Sequence, residues 1–138
     1  MLFFETWKPK TQGGFSYNKT PMVTLNKHSL SFNHAALEEC MKSAERVTIL
    51  PDPKTPAIGF CFHNGDMEGD FIIRRTKAAK PSAIVHSKAL YDAYPIFLST
   101  AVQIGMKRFE IHVVAEDDVP EDFKGSQLFV IRIQKKTL

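Results

Sequence analysis

The sequence predicts an α+β fold, mainly β, in which a strand-helix-strand-strand unit occurs twice and the two copies form a barrel about a pseudo-two-fold axis. Three observations predict it. Leu30-Ser31-Phe32-Asn33-His34-Ala35-Ala36-Leu37-Glu38-Glu39-Cys40 lines up with Ala83-Ile84-Val85-His86-Ser87-Lys88-Ala89-Leu90-Tyr91-Asp92-Ala93 at a constant offset of 53, each reading as a short strand running into a helix. Arg46-Val47-Thr48-Ile49-Leu50 matches Arg108-Phe109-Glu110-Ile111-His112, and Ala57-Ile58-Gly59-Phe60-Cys61-Phe62 matches Leu128-Phe129-Val130-Ile131-Arg132-Ile133, each copy giving strand, turn, strand. Eleven Phe against a single Trp favour a core built on strands.

A chain of 138 residues is one domain's worth, enough to bury roughly two thirds of its unfolded surface. The expected organisation is a single domain over 1–138. It divides into an N-terminal arm (1–21), repeat one (22–62), a linker (63–70), repeat two (71–133) and a tail (134–138).

In the arm, Pro9, Gly13, Gly14 and Pro21 break up a mixture of aromatic and basic residues, leaving room for one edge strand. Repeat one opens with a strand over residues 22–25, and Leu30 and Phe32 alternate as a half-buried strand requires. Asn33 is placed to cap a short helix whose Ala36, Leu37, Cys40 and Met41 recur at the spacing of a buried stripe. Residues 47–50 and 58–62 form a hairpin around the proline-stiffened turn Pro51-Asp52-Pro53-Lys54-Thr55-Pro56. Two glycines and three acids make 63–70 an exposed loop.

Repeat two starts at Phe71-Ile72-Ile73, and Ser87 is expected to cap its helix. Pro95 ends that helix, and Phe97, Leu98, Ala101 and Val102 start another, because the offset grows from 53 to 62 downstream. Residues 115–125, with Pro120 and five acids, are an enlarged hairpin turn.

Net charge is only +3, but its distribution is uneven. No acid lies between Thr6 and Leu37, where Lys8, Lys10, Lys19 and Lys27 fall. None lies between Phe71 and Tyr91, where Arg74, Arg75, Lys77, Lys80 and Lys88 fall. The rest of the chain carries nine cations against 15 acids. Both windows precede the helix of a repeat, so symmetry would bring them to related surfaces and make one face basic. Such a face attracts polyanions and binds phosphates with counterion release. Arg74 and Arg75 are the leading candidates, since guanidinium takes phosphate or a guanine edge with two hydrogen bonds; Lys77, Lys80, Lys88, Lys27 and Lys19 supply further phosphate contacts. Asn33, His86 and Ser87 lie at strand-to-helix junctions, where free N–H groups also favour anions.

Strand, strand, short helix, strand, hairpin, strand, occurring twice over residues 22–133, resembles the swapped-hairpin barrel of the AbrB and MazE family of prokaryotic transition-state regulators and antitoxins. In that family the two copies normally come from two chains; here they are fused in one. Family members tend to carry a proline and a basic residue at the strand-to-helix junction and a Gly-Asp before the next strand. Here Phe32-Asn33-His34-Ala35-Ala36-Leu37 and Ser43-Ala44-Glu45-Arg46-Val47 keep the apolar skeleton without those polar marks. The resemblance implies binding of double-stranded DNA through the face made by the first strands of each repeat, and such degraded motifs also suit a phage or mobile element.

Other chemistry finds less footing. The histidines and the two cysteines do not occur at metal-site spacings. Asp66, Glu68 and Asp70 alternate like a calcium loop, but Lys77 stands where the twelfth-position Glu belongs. Ser29, Ser31, Ser82 and Ser87 have histidines near them in sequence, yet no Gly-x-Ser-x-Gly elbow or phosphate loop occurs. The expectation is therefore no enzyme, no cofactor and no metal. Trp7, Phe15 and Tyr17, interleaved with lysines, suit either stacking on unpaired bases or covering a barrel edge.

The apolar start Met1-Leu2-Phe3-Phe4 is too short for a signal peptide, and no run is long enough to span a bilayer. A cytoplasmic protein without membrane partners, with Cys40 and Cys61 reduced and buried, is expected. Two functions follow: a nucleic-acid-binding module, a transcription regulator or accessory factor, using the duplicated basic face; or a protein-interaction module, an adaptor or inhibitor, using the acidic loops 66–70 and 116–122.

Overall fold

A computed structural model describes residues 20–65 and 69–135. The N-terminal arm up to Lys19, with the edge strand expected there, residues 66–68 of the linker, and the last three residues of the tail lie outside the described residues.

The fold is α+β and mainly β, with two five-stranded antiparallel sheets. The first runs β6 (Arg74–Arg75), β7 (Ala83–His86), β2 (Ser29–Phe32), β1 (Met22–Leu25), β8 (Arg108–Glu110). The second runs β5 (Phe71–Ile72), β3 (Arg46–Asp52), β4 (Ala57–His63), β10 (Phe129–Arg132), β9 (His112–Val113). Two stretches of chain take part in both sheets. β5 pairs with β3 while β6 pairs with β7. β8 pairs with β1 while β9 pairs with β10. At each changeover the intervening N–H finds a carbonyl, Ile73 on Glu45 at 3.0 Å and Ile111 on Pro21 at 3.0 Å, so no ladder donor is stranded there.

Period-two alternation decides what each strand buries. Val23, Leu25, Leu30, Phe32, Ala83, Val85 and Phe109 from the first sheet meet Val47, Ile58, Phe60, Phe129 and Ile131 from the second in one core. At its centre Phe32 meets Phe60 and Phe62 edge-on, with ring centroids 5.4 and 5.8 Å apart and interplanar angles of 80° and 83°. Such contacts contribute about 0.5–1.5 kcal/mol each beyond burial. Gly59 sits where a Cβ would press Leu50 Cβ at 3.3 Å, which explains a residue without a side chain in the middle of a sheet.

The first helix forms as expected at its start. Asn33 is extended (φ −74°, ψ 174°), and its Oδ1 accepts from Ala36 N at 3.0 Å and from Met22 N at 3.1 Å. It then departs from expectation: α1 (His34–Ala36) widens into a π-helical turn (Leu37–Met41), closed by Lys42 N on Leu37 O at 2.6 Å. Lys42 takes φ 51°, a conformation costly for a residue with a Cβ.

Pro95 separates α2 (Lys88–Ala93) from α3 (Ile96–Ile104), as its missing N–H demands. Gly105 closes α3 at φ 72°, donating to Ala101 and Val102 carbonyls. Ser87 occupies the cap position of α2 but makes no side-chain cap bond. Its backbone (φ −123°, ψ 19°) lacks the extended geometry by which Asn33 aims its side chain back at the helix. Among the described residues no helix is long and apolar enough to cross a membrane.

Candidate nucleic-acid interface

A row of side chains crosses the first sheet in register: Arg74 on β6, Ile84 on β7, Ser31 on β2, Thr24 on β1 and Arg108 on β8. Directly opposed residues share a face, and the apolar residues alternating with this row fill the core, so the row is the outer face. Its two arginines are exposed and stand four inter-strand spacings apart, about 19 Å. Neither has a hydrogen-bonding or ionic partner among the described residues. Between them stand Ile84 and the hydroxyl residues Ser31 and Thr24, and Asn26 Nδ2 reaches over the sheet to Ser31 Oγ at 2.7 Å and Ser29 Oγ at 3.3 Å.

The expected basic residues fall into two groups at opposite ends of the β2–β7 pair. Lys27, exposed in the β1–β2 turn, lines a groove with Lys88 at the start of α2. Lys77 and Lys80 are exposed on the β6–β7 loop beside Arg74, and Lys80 has an interaction of its own. Four strand residues separate the groups, about 10–13 Å. Lys19 lies outside the described residues.

Two members are engaged. Lys88 Nζ holds Asp92 at 2.7 Å, both largely exposed. Arg75 differs from Arg74 in kind: its Nη2 donates to Lys42 O at 2.9 Å and to Ala44 O at 2.6 Å. It thereby pins the turn that follows the π-helical segment. Three carboxylates adjoin the face, each with a partner: Glu110 with His112 at 3.7 Å, Glu38 with His34 at 2.9 Å, and Asp92 as above.

Arg108 escaped the sequence reading. Its alternation with Phe109 marked it as outward, but nothing local announces that β8 pairs with β1, which lies more than 80 residues upstream. The acidic linker also differs from expectation. The Asp70 side chain is 1 % exposed, accepting from Thr48 Oγ1 at 2.6 Å and from His63 Nε2 at 3.0 Å. It is thus withdrawn from solvent and from any docking surface, because the β3–β4 hairpin supplies two donors that outweigh its hydration.

Thr48 Oγ1 also lies 2.9 Å from His63 Nε2. Both contacts fall on one ring nitrogen, so the imidazole does not stand between hydroxyl and carboxylate as a proton relay requires. His86 faces Ser29 directly across β2 and β7, yet the Ser29 hydroxyl takes the Asn26 amide. A cavity of about 350 Å³ beside the π-helical turn is lined by Cys40, Cys61 and His63. Burial, aided by Glu39, pushes the Cys40 thiol up to about 11. Burial, aided by Asp70, raises Cys61 as well. Neutral thiols are poor nucleophiles and ligands, and among the described residues no group of three His, Cys, Asp or Glu could hold a metal ion.

Comparison with models of protein families, with curated proteins and with solved structures found no match to this chain.

Proposed function

We propose that the protein is a non-enzymatic nucleic-acid-binding module, a cytoplasmic transcription regulator or accessory factor, that grips double-stranded DNA on the outer face of its first sheet. One observation supports the reading: the cross-sheet row with an arginine at each end whose side chain has no partner among the described residues, and Ile84, Ser31 and Thr24 between. A phosphate backbone can lie close to Ser31 and Thr24 while Arg74 and Arg108 neutralise phosphates on either side. Lys27, Lys77 and Lys80 extend the contact along the strands. No aromatic residue stands in the row, and single-strand binding relies on aromatic stacking; a duplex therefore suits this face better.

The likeness to AbrB and MazE, with its duplicated and closed barrel, belongs to the same reading. The offset of 53 equates Ser31 with Ile84, which are also partners across β2 and β7. The flanking pairs, Leu30 with Val85 and Phe32 with Ala83, exchange under that same offset. The offset of 71 between 57–62 and 128–133 does likewise about the pair Gly59 and Val130. A chance alignment has no reason to agree with strand register. Closure is supported by the stretches 71–75 and 108–113, which hydrogen-bond into both sheets.

The test is anisotropy of a short labelled duplex titrated with the chain at several salt concentrations. Engagement of five phosphates should give log K against log salt a slope of about −4 to −5. Replacing Arg74 and Arg108 together by Glu should lower affinity by more than about tenfold with the fold intact by circular dichroism. Salt-independent binding, or unchanged affinity in that variant, would refute the proposal.

A further inference from the structure

We propose that the groove between the β1–β2 turn and helix α3 docks an amphipathic helix of a partner protein, one whose apolar ridge is flanked by carboxylates. The groove has a volume of about 690 Å³. Its floor is Tyr91, Leu98 and Val102, and its rim is Lys27, His28 and Lys88. The fourteen residues 93–106 contain no charged side chain. α3 buries Phe97 and Ala101 in the core, while on its other side Val102 is 80 % exposed and Ile96 41 % exposed. A helix that only closed a core would carry charged or polar residues throughout its solvent side. This one sets Ile96 and Val102 beside the uncharged Ser99 and Gln103 on that side, and its nine residues equal the growth of the repeat offset from 53 to 62. Under the proposed duplication the second half of the chain carries a helix without counterpart in the first, and that helix presents Val102 outward.

The rim decides the occupant. Lys27, His28 and the Lys88–Asp92 ion pair surround the floor, so among the described residues the rim keeps an unpaired cation in Lys27 and no unpaired carboxylate. An apolar ridge at i, i+3 or i+4, and i+7 would fill the floor, and its flanking acids would meet the rim. A second copy fits less well. Two-fold docking would set Lys27 and Lys88 against their own counterparts, and the cluster of acids at 116–122 lies on two short 3₁₀ turns rather than on an amphipathic helix.

The test is selection from a display library of random helical peptides on the full chain. Enriched peptides should share the apolar ridge with Asp or Glu beside it. A synthetic consensus peptide should shift the backbone amide signals of Lys27, His28, Leu98 and Val102 in NMR titration. Val102→Glu should weaken that peptide by about tenfold or more, while Arg74→Ala, outside the groove, should leave peptide binding within about twofold. Enriched peptides without acids, binding undiminished in Val102→Glu, a dimer in sedimentation that this substitution dissolves, or retention on anionic phospholipid vesicles that it abolishes would each overturn the inference. Duplex binding that fails while peptide binding holds would sink the nucleic-acid reading alone.

Discussion

The outer faces of the two sheets differ in what lies over them. On the first, Ile84, Ser31 and Thr24 stand between exposed arginines. On the second, Cys61 and Leu50 are packed beneath Val119, Leu128, Val114 and Phe123, so the connection between β9 and β10 forms a lid over the sheet. That lid turns Glu116, Asp117, Asp118, Glu121 and Asp122 outward. One side of the core thus meets solvent through hydroxyls, cations and a half-buried Ile84, the other through an added layer bearing acids. The difference follows from side-chain chemistry at alternate strand positions. An outward thiol or leucine calls for cover, whereas an outward serine or threonine does not.

The largest effect should come from what both faces share. Phe60 lies under the second sheet but packs edge-on against Phe32 of the first. Phe60→Ala should cost about 3–5 kcal/mol in denaturant unfolding, with both sheets lost in a single transition. Two transitions would mean that the faces belong to separable units and that the comparison describes two bodies.

A smaller effect separates two neighbours. Arg75→Ala removes a charged donor from the Lys42 and Ala44 carbonyls and should destabilise the chain by about 1–2 kcal/mol. Arg74→Ala should leave stability within about 0.5 kcal/mol while reducing duplex affinity. Equal thermal shifts in the two variants would remove the distinction between a structural and a binding arginine.

These neighbours also mark how far the sequence could be read. Alternation delimited β1 to β4 to within a residue or two, Asn33 announced its cap, and Pro95 divided the helices, because each depends on residues close along the chain. Arg74 and Arg75 looked alike because what separates them is the carbonyl pair at Lys42 and Ala44, some 30 residues away. Asp70 read as a solvated loop acid because Thr48 and His63 approach it only once the β3–β4 hairpin has formed. Arg108 stood outside both acid-free windows, and strand pairing alone brings it beside Thr24. The π-helical turn had no local signature distinguishing it from an ordinary helix.

The mildest prediction contrasts the two sides by titration. Cys40 and Cys61 line one cavity beside the second sheet, and burial raises both thiols, Cys40 from 9.0 to about 11. Tyr91, whose hydroxyl donates to Ser29 O of the first sheet, is raised by burial from a higher starting value of 10.0. A raised acid binds its proton more tightly in the folded state. Its contribution to stability is therefore complete below the unfolded value and is lost as pH climbs through the folded one. The melting temperature should accordingly fall as pH rises from 9 towards 11. Cys40→Ala combined with Cys61→Ala should flatten the early part of that decline. A profile equally steep in the double variant would show that the two thiols beside the covered face do not set it.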